Sequence, residues 1–235
     1  MKNIFLVVSL LMLLSSCSEE QNRMYLTGEV KGLKKGMVIL KKANDTAVYP
    51  VDSIMINGDA HFSFSEIVPT SELYFLELKI KNESLKDKSL SFFAEPGEIN
   101  IITSLENFNT AAIITGSKNQ EKYDEFRTLI RRYTDKDLDL MEEEFSAIQR
   151  GDDSLRNEIR KQREGTITRK YLATVNFAIN HNDYELAPYL MLSEVYDANV
   201  KYLDTVYKSL TPKIKDSKYG IALESFIQER KKSED

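Results

Sequence analysis

Asp135, Asp137 and Asp139, in the stretch TDKDLDLMEEEF, have the alternate spacing with which a calcium loop begins. Such a loop needs glycine at its sixth position to turn and glutamate at its twelfth to close on the ion. Those positions hold Leu140 and Ser146, so the acids are read as a capped helix start, where the helix dipole favours negative charge. His61 and His181 are the only histidines, and a zinc site needs three or four ligands. The sequence contains no G-x-S-x-G to present a serine nucleophile and no G-x-x-x-x-G-K-[ST] loop to cradle phosphates. Glu142, Glu143 and Glu144 read as a solvated helix face, and nothing singles out two acids as a glycosidase pair. No catalytic residue, metal ligand or cofactor-binding residue is assigned, and no cofactor is expected. The one distinctive group is the thiol of Cys17, the single cysteine of the chain.

The surroundings of Cys17 explain it. Lys2 gives a positive start, and residues 4–14 (IFLVVSLLMLL) are apolar apart from Ser9. That run suits a secretory signal and is too short to span a bilayer, which takes roughly 20 apolar residues. Leu14, Ser15, Ser16 and Cys17 together resemble the lipobox of bacterial lipoproteins. The resemblance implies a lipid on the Cys17 thiol, cleavage before Cys17, and acylation of the new amino terminus. Each buried CH₂ of such chains contributes about 0.8 kcal/mol, so two or more chains hold stably. An ordinary cleavable signal with an incidental cysteine is the competing reading; charge, apolar run and small residues together favour lipidation. Exported domains often use paired cysteines as staples, and here no intrachain disulfide can form. Ser18, Glu19 and Glu20 do not match an inner-membrane retention signal, which leaves the outer membrane, on its periplasmic or its cell-surface side. The expected organisation is a signal at residues 1–16, a tether at 17–23, a β-rich domain at 24–116 and a helical region at 117–235.

Composition bounds the partners. With 42% hydrophobic and 29% charged residues, the chain can build an ordinary globular core. Its formal charge of −5 becomes one unit more negative once Lys2 leaves with the signal, and this argues against nucleic acid. The expected partners are the membrane, through the anchor, and another protein. Oligomeric state is left open.

Two periodicities must position whatever the chain does. Over residues 24–115 the pattern has period two. Phe62 and Phe64 share one face, His61, Ser63 and Ser65 the other; Tyr74, Leu76, Leu78 and Ile80 oppose Glu77 and Lys79. Asn57-Gly58 between two such runs predicts a hairpin, and Pro96-Gly97 predicts a type II turn between strands. These features predict an antiparallel sandwich or open barrel. After Gly116 the period becomes helical. Ser117 with Gln120 predicts a capping box, and Phe126, Leu129, Ile130 and Tyr133 share a face. Thr134 with Asp137 predicts a second helix start, with Leu138, Met141, Phe145 and Ile148 buried. Gly151-Asp152-Asp153 breaks that helix. A long helix over residues 155–179 turns strongly apolar from Ile167, through Leu172, Val175 and Ala178. Tyr184, Tyr189, Tyr196, Tyr202, Tyr207 and Tyr219 read as core packing with hydroxyls at the rim, in preference to an aromatic groove. The fold class expected is therefore α+β, a β domain followed by an all-helical region.

The order of these features, with VDSIMINGDAHFSFSEIV, FFAEPGEINI, FAINHNDYELAPYLML and LTPKIKDSKYGIALESFIQ, is similar to the DUF4369 family. That family is found at the front of lipid-anchored thiol–disulfide interchange proteins of the TlpA/ResA type. The resemblance implies a β-rich domain followed by helices that lead to a thioredoxin-like domain with Cys-x-x-Cys. This sequence has no Cys-x-x-Cys, and it ends at Asp235 near where such a domain would begin. Thiol exchange needs an attacking thiolate and a partner, so no redox residue carries over. The expectation is a non-catalytic, lipid-anchored envelope protein acting as a binding module. The alternatives are an accessory subunit docking a separate thioredoxin-like protein and, less favoured, an envelope hydrolase.

Overall fold

Met24, Leu26, Gly28 and Val30 alternate with Tyr25, Thr27, Glu29 and Lys31, and Met24, Leu26 and Val30 are wholly buried. In the computed structural model, which describes residues 22–44, 47–80 and 88–234, this stretch is strand β1 (Arg23–Lys31). It is followed by β2 (Lys35–Asn44), β3 (Ala47–Asn57), β4 (His61–Ile67), β5 (Glu72–Lys79), β6 (Lys88–Ala94), β7 (Gly97–Ser104) and β8 (Ile113–Thr115). Six helices come next: α1 (Lys118–Arg150), α2 (Asp153–Asn180), α3 (Leu186–Ser193), α4 (Val200–Ser209), α5 (Pro212–Lys215) and α6 (Lys218–Glu234). The chain divides into two compact units, the first ending at Gln120 and the second beginning at Glu121.

The first unit has two four-stranded sheets, ordered β4-β1-β7-β8 and β3-β2-β5-β6. They share one core, in which Met24, Leu26 and Ile101 from the first sheet join Leu40, Tyr74, Leu76 and Phe92 from the second. The sheets do not close on each other, so the arrangement is a sandwich. All pairings are antiparallel except β1 with β7, which run parallel.

The Asn57-Gly58 hairpin does not form. Strand β3 pairs with β2, from Lys35↔Asn57 to Asn44↔Ala47, while β4 pairs with β1. Residues 57–60 instead carry the chain from one sheet to the other. Gly58, at φ 100°, donates its N–H to the Lys34 carbonyl at 2.8 Å, and the Ala60 carbonyl accepts from Val30 N–H at 3.1 Å. Each arm thus finds its backbone partners in a different sheet, and the glycine is used for a crossing. Pro96-Gly97 is likewise a crossing, from β6 to β7. The alternation readings hold: Phe62 and Phe64 are buried, and Tyr74, Leu76 and Leu78 face the core.

Ser117 accepts from Gln120 N–H at 3.1 Å, as a cap should. The reciprocal half of the capping box is absent, because the Gln120 side chain accepts from Phe93 N–H at 3.0 Å instead. Glu95 adds acceptors for the Lys118 and Asn119 N–H groups, fixing the first turn of α1.

In the second unit α1 runs unbroken through Thr134, so no second helix starts there. The Thr134 hydroxyl donates to the Ile130 carbonyl one turn back, at 3.5 Å, rather than capping. The chain turns at Gly151, and Asp152 caps α2 by accepting from Leu155 N–H at 3.0 Å. Helices α1 and α2 run antiparallel, since Phe126 meets Phe177 while Glu144 meets Arg160. Their contact is not the stripe expected. Leu140, Ala147 and Ile159 are buried between them, whereas Leu138, Met141, Phe145 and Ile148 are exposed. The reason lies across from α1: Arg163 binds Asp137 at 2.9 Å and Glu144 at 2.7 Å, drawing that mixed face inward. On α2, Val175 and Ala178 are buried as expected, but Ile167 and Leu172 are not. Tyr123, Tyr189 and Tyr219 pack edge to face, at 6.2 and 5.2 Å between centroids, which is the packing role expected of Tyr189 and Tyr219. Among the described residues no helix is long and apolar enough to cross a membrane.

Gly28 is where the sandwich leaves no room. A methyl group there would overlap the Ile101 carbonyl oxygen and the Phe62 ring. Gly28→Ala is expected to destabilise the first unit by about 1–3 kcal/mol, the usual cost of overpacking. Urea denaturation of the variant checks this.

Candidate functional site

The residues singled out for chemistry are dispersed. Asp135 and Asp139 are exposed on α1, while Asp137 is held by Arg163. Glu142 and Glu143 are exposed, and Glu144 pairs with Arg163 and Arg160. His61 lies in the first unit, with Nδ1 2.6 Å from an Asp59 carboxylate oxygen; that hydrogen bond raises the pKa of His61 and lowers that of Asp59. His181 lies in the second unit at the end of α2, its Nδ1 2.9 Å from the Phe177 carbonyl oxygen and its ring stacked on Phe177. Among the described residues no three His, Cys, Asp or Glu side chains are grouped to hold a metal ion. Cys17 lies outside the described residues.

The feature best suited to binding is at one end of the β3-β2-β5-β6 sheet. Met37 on β2 stands between Met55 on β3 and Lys79 on β5, in a single row across the three strands. Gly36, Ile56, Asn57 and Ile80 complete the walls, and Lys35 joins Lys79 at the rim. The cleft measures about 610 Å³, within the range of small-ligand sites. Met55 is 64% exposed, so a flexible, polarizable side chain stands in solvent at its mouth. Among the described residues none that lines it is acidic. The cleft can therefore take an apolar group carrying a carboxylate or another anion beside it.

Strand β3 borders this cleft as the edge of its sheet, with no strand among the described residues on its far side. Gly58 N–H points inward to Lys34, so alternation turns the Met55 and Asn57 amides outward. The Ser53 amide also faces out, but the Asp52 carboxylate accepts it at 2.7 Å. Beyond that the register slips at Leu40/Lys41, and Pro50 lacks an N–H. The pairing edge is thus confined to residues 53–57, beside the methionines. Sequence reading did not pick out Met37 or Met55. Their signal was present as outward positions in alternating strands that carry methionine in place of a polar residue.

One acid on this outer face is buried. Glu77 receives Lys41 and, at 3.3 Å, Lys79. Burial pushes its pKa up, but the hydrogen bonds from the two lysines outweigh that and hold it below the usual value of 4.5. Such a carboxylate contributes its stability in full above that value and loses it as pH falls through the lower, folded one. It is a charged strut for the lysine rim, unlike a proton donor poised near neutrality. Glu77→Gln is expected to cost about 1–3 kcal/mol at neutral pH and to flatten the loss of stability below pH 4.5. Urea titrations at neutral and acid pH measure both.

A comparison with curated proteins finds no match. Residues 24–123 match the model of the family described as Domain of unknown function (DUF4369). The β sandwich that carries the methionine cleft is therefore a DUF4369 domain.

Proposed function

We propose that this chain is a non-catalytic, lipid-anchored protein of the cell envelope whose DUF4369 domain binds an extended segment of another protein. The observation that carries the reading is the methionine cleft next to an unpaired strand edge. A peptide laid along residues 53–57 gains main-chain hydrogen bonds from the Met55 and Asn57 amides. Its side chains on the outer face then enter the cleft at every second position, and Lys35 and Lys79 favour an acid beside the apolar group. Among the described residues that line the cleft there is no nucleophile–base pair.

The anchor is supported by the sequence around Cys17, and the location we infer is the outer membrane. Replacing Cys17 by Ser is expected to move the protein from the membrane fraction to the soluble fraction and to abolish labelling by radioactive palmitate. Palmitate labelling that persists in the variant overturns the anchor.

Binding is tested with a photoreactive phenylalanine analogue at Met55 in intact cells. Cross-links to protein are expected there, to be absent with the same residue at Ile113 on the opposite sheet, and to fall at least tenfold when Met37 is also changed to Asp. Cross-linking indifferent to Met37→Asp overturns the cleft as a binding site. A captured partner carrying Cys-x-x-Cys makes the chain an accessory of a separate thioredoxin-like protein.

A further inference from the structure

Leu138, Met141, Phe145 and Ile148 are 57, 47, 61 and 52% exposed along one side of α1. Their spacing of three, four and three is that of a helix–helix seam. It is a separate face from the one α1 turns to α2, which uses Leu140, Ala147, Asp137 and Glu144. Single exposed apolar residues are ordinary on a protein surface, but four large ones in register form a continuous patch.

Charge indicates what covers it. The outer border of the seam holds Asp135 and Glu142, at the positions that meet a partner's charges in paired helices. With Asp139 and Glu143 behind them, these acids are exposed and form no ion pair among the described residues. On the inner border Asp137 and Glu144 are already neutralised by Arg163. A second copy of α1 fits poorly. Antiparallel pairing sets the Glu142 side against the same side of the other copy, and parallel pairing sets Glu142 near the other Asp137. The first opposes acid to acid, the second sets Glu142 against an Asp137 that already holds Arg163, and neither border of the seam carries a Lys or Arg to meet it.

We propose that this seam docks an amphipathic helix of a different protein, one whose apolar stripe is flanked by Lys or Arg. The surface is separate from the methionine cleft and does not rest on it. The test uses the full chain in mild detergent and two fluorescent synthetic helices with one Leu/Ile seam, flanked by Lys in one and by Glu in the other. Fluorescence anisotropy is expected to show the Lys-flanked helix binding at least tenfold tighter. Phe145→Glu, a change at an exposed position, should abolish binding without moving the melting temperature. Glu142→Lys should narrow the preference between the two helices several-fold. Equal affinity for both peptides, or binding that survives Phe145→Glu, overturns the proposal. So does self-association of the chain, seen by sedimentation, that Phe145→Glu abolishes.

Discussion

Two open sheets in one domain must bury the same apolar face, and the backbone must remain hydrogen-bonded while it serves both. This chain meets that constraint by changing sheet between β1 and β2, β3 and β4, β4 and β5, and β6 and β7. The rest of the β unit follows from those crossings. They deliver β7 parallel to β1, bring Gly28 beneath the Phe62 ring, and leave β3 on the rim of its sheet. An edge strand with Met55 on its outer face, beside Met37 of β2, is a by-product of how the core is closed.

Much of this was legible in the sequence. The alternation at Phe62 and Phe64, and at Tyr74, Leu76 and Leu78, gave the inner faces correctly, because burial of a half-exposed strand is a local, period-two property. Pairing was less legible. Asn57-Gly58 marks a change of direction, but its neighbours do not encode whether the next strand joins the same sheet. That is decided by where Lys34 and Val30 offer backbone partners. The cleft was missed for a related reason: Met37, Met55 and Lys79 lie far apart in the chain and meet only through register.

The helical unit shows the opposite failure. The periodicity in α1 was correct and so was its first stripe, with Phe126 and Ile130 buried, but the second, from Leu138 to Ile148, faces outward. A polar face centred on Asp137 and Glu144 wins the interior because one guanidinium, Arg163, serves both carboxylates from α2. Apolar burial there is thin, reduced to Leu140, Ala147 and Ile159, with Leu155 packed against them. Sequence patterns weigh apolar residues alone, so an ion-paired interface reads as solvent and the true solvent face reads as core.

The proline and the register slip in β3 have a consequence for strength. A pairing edge of residues 53–57 is roughly 16 Å long at about 3.3 Å per residue. So short an edge holds a polypeptide weakly and releases it quickly. Where a weak contact of this kind lies between molecules confined to one surface, their high local concentration sets the occupancy, and many loose grips act together as avidity.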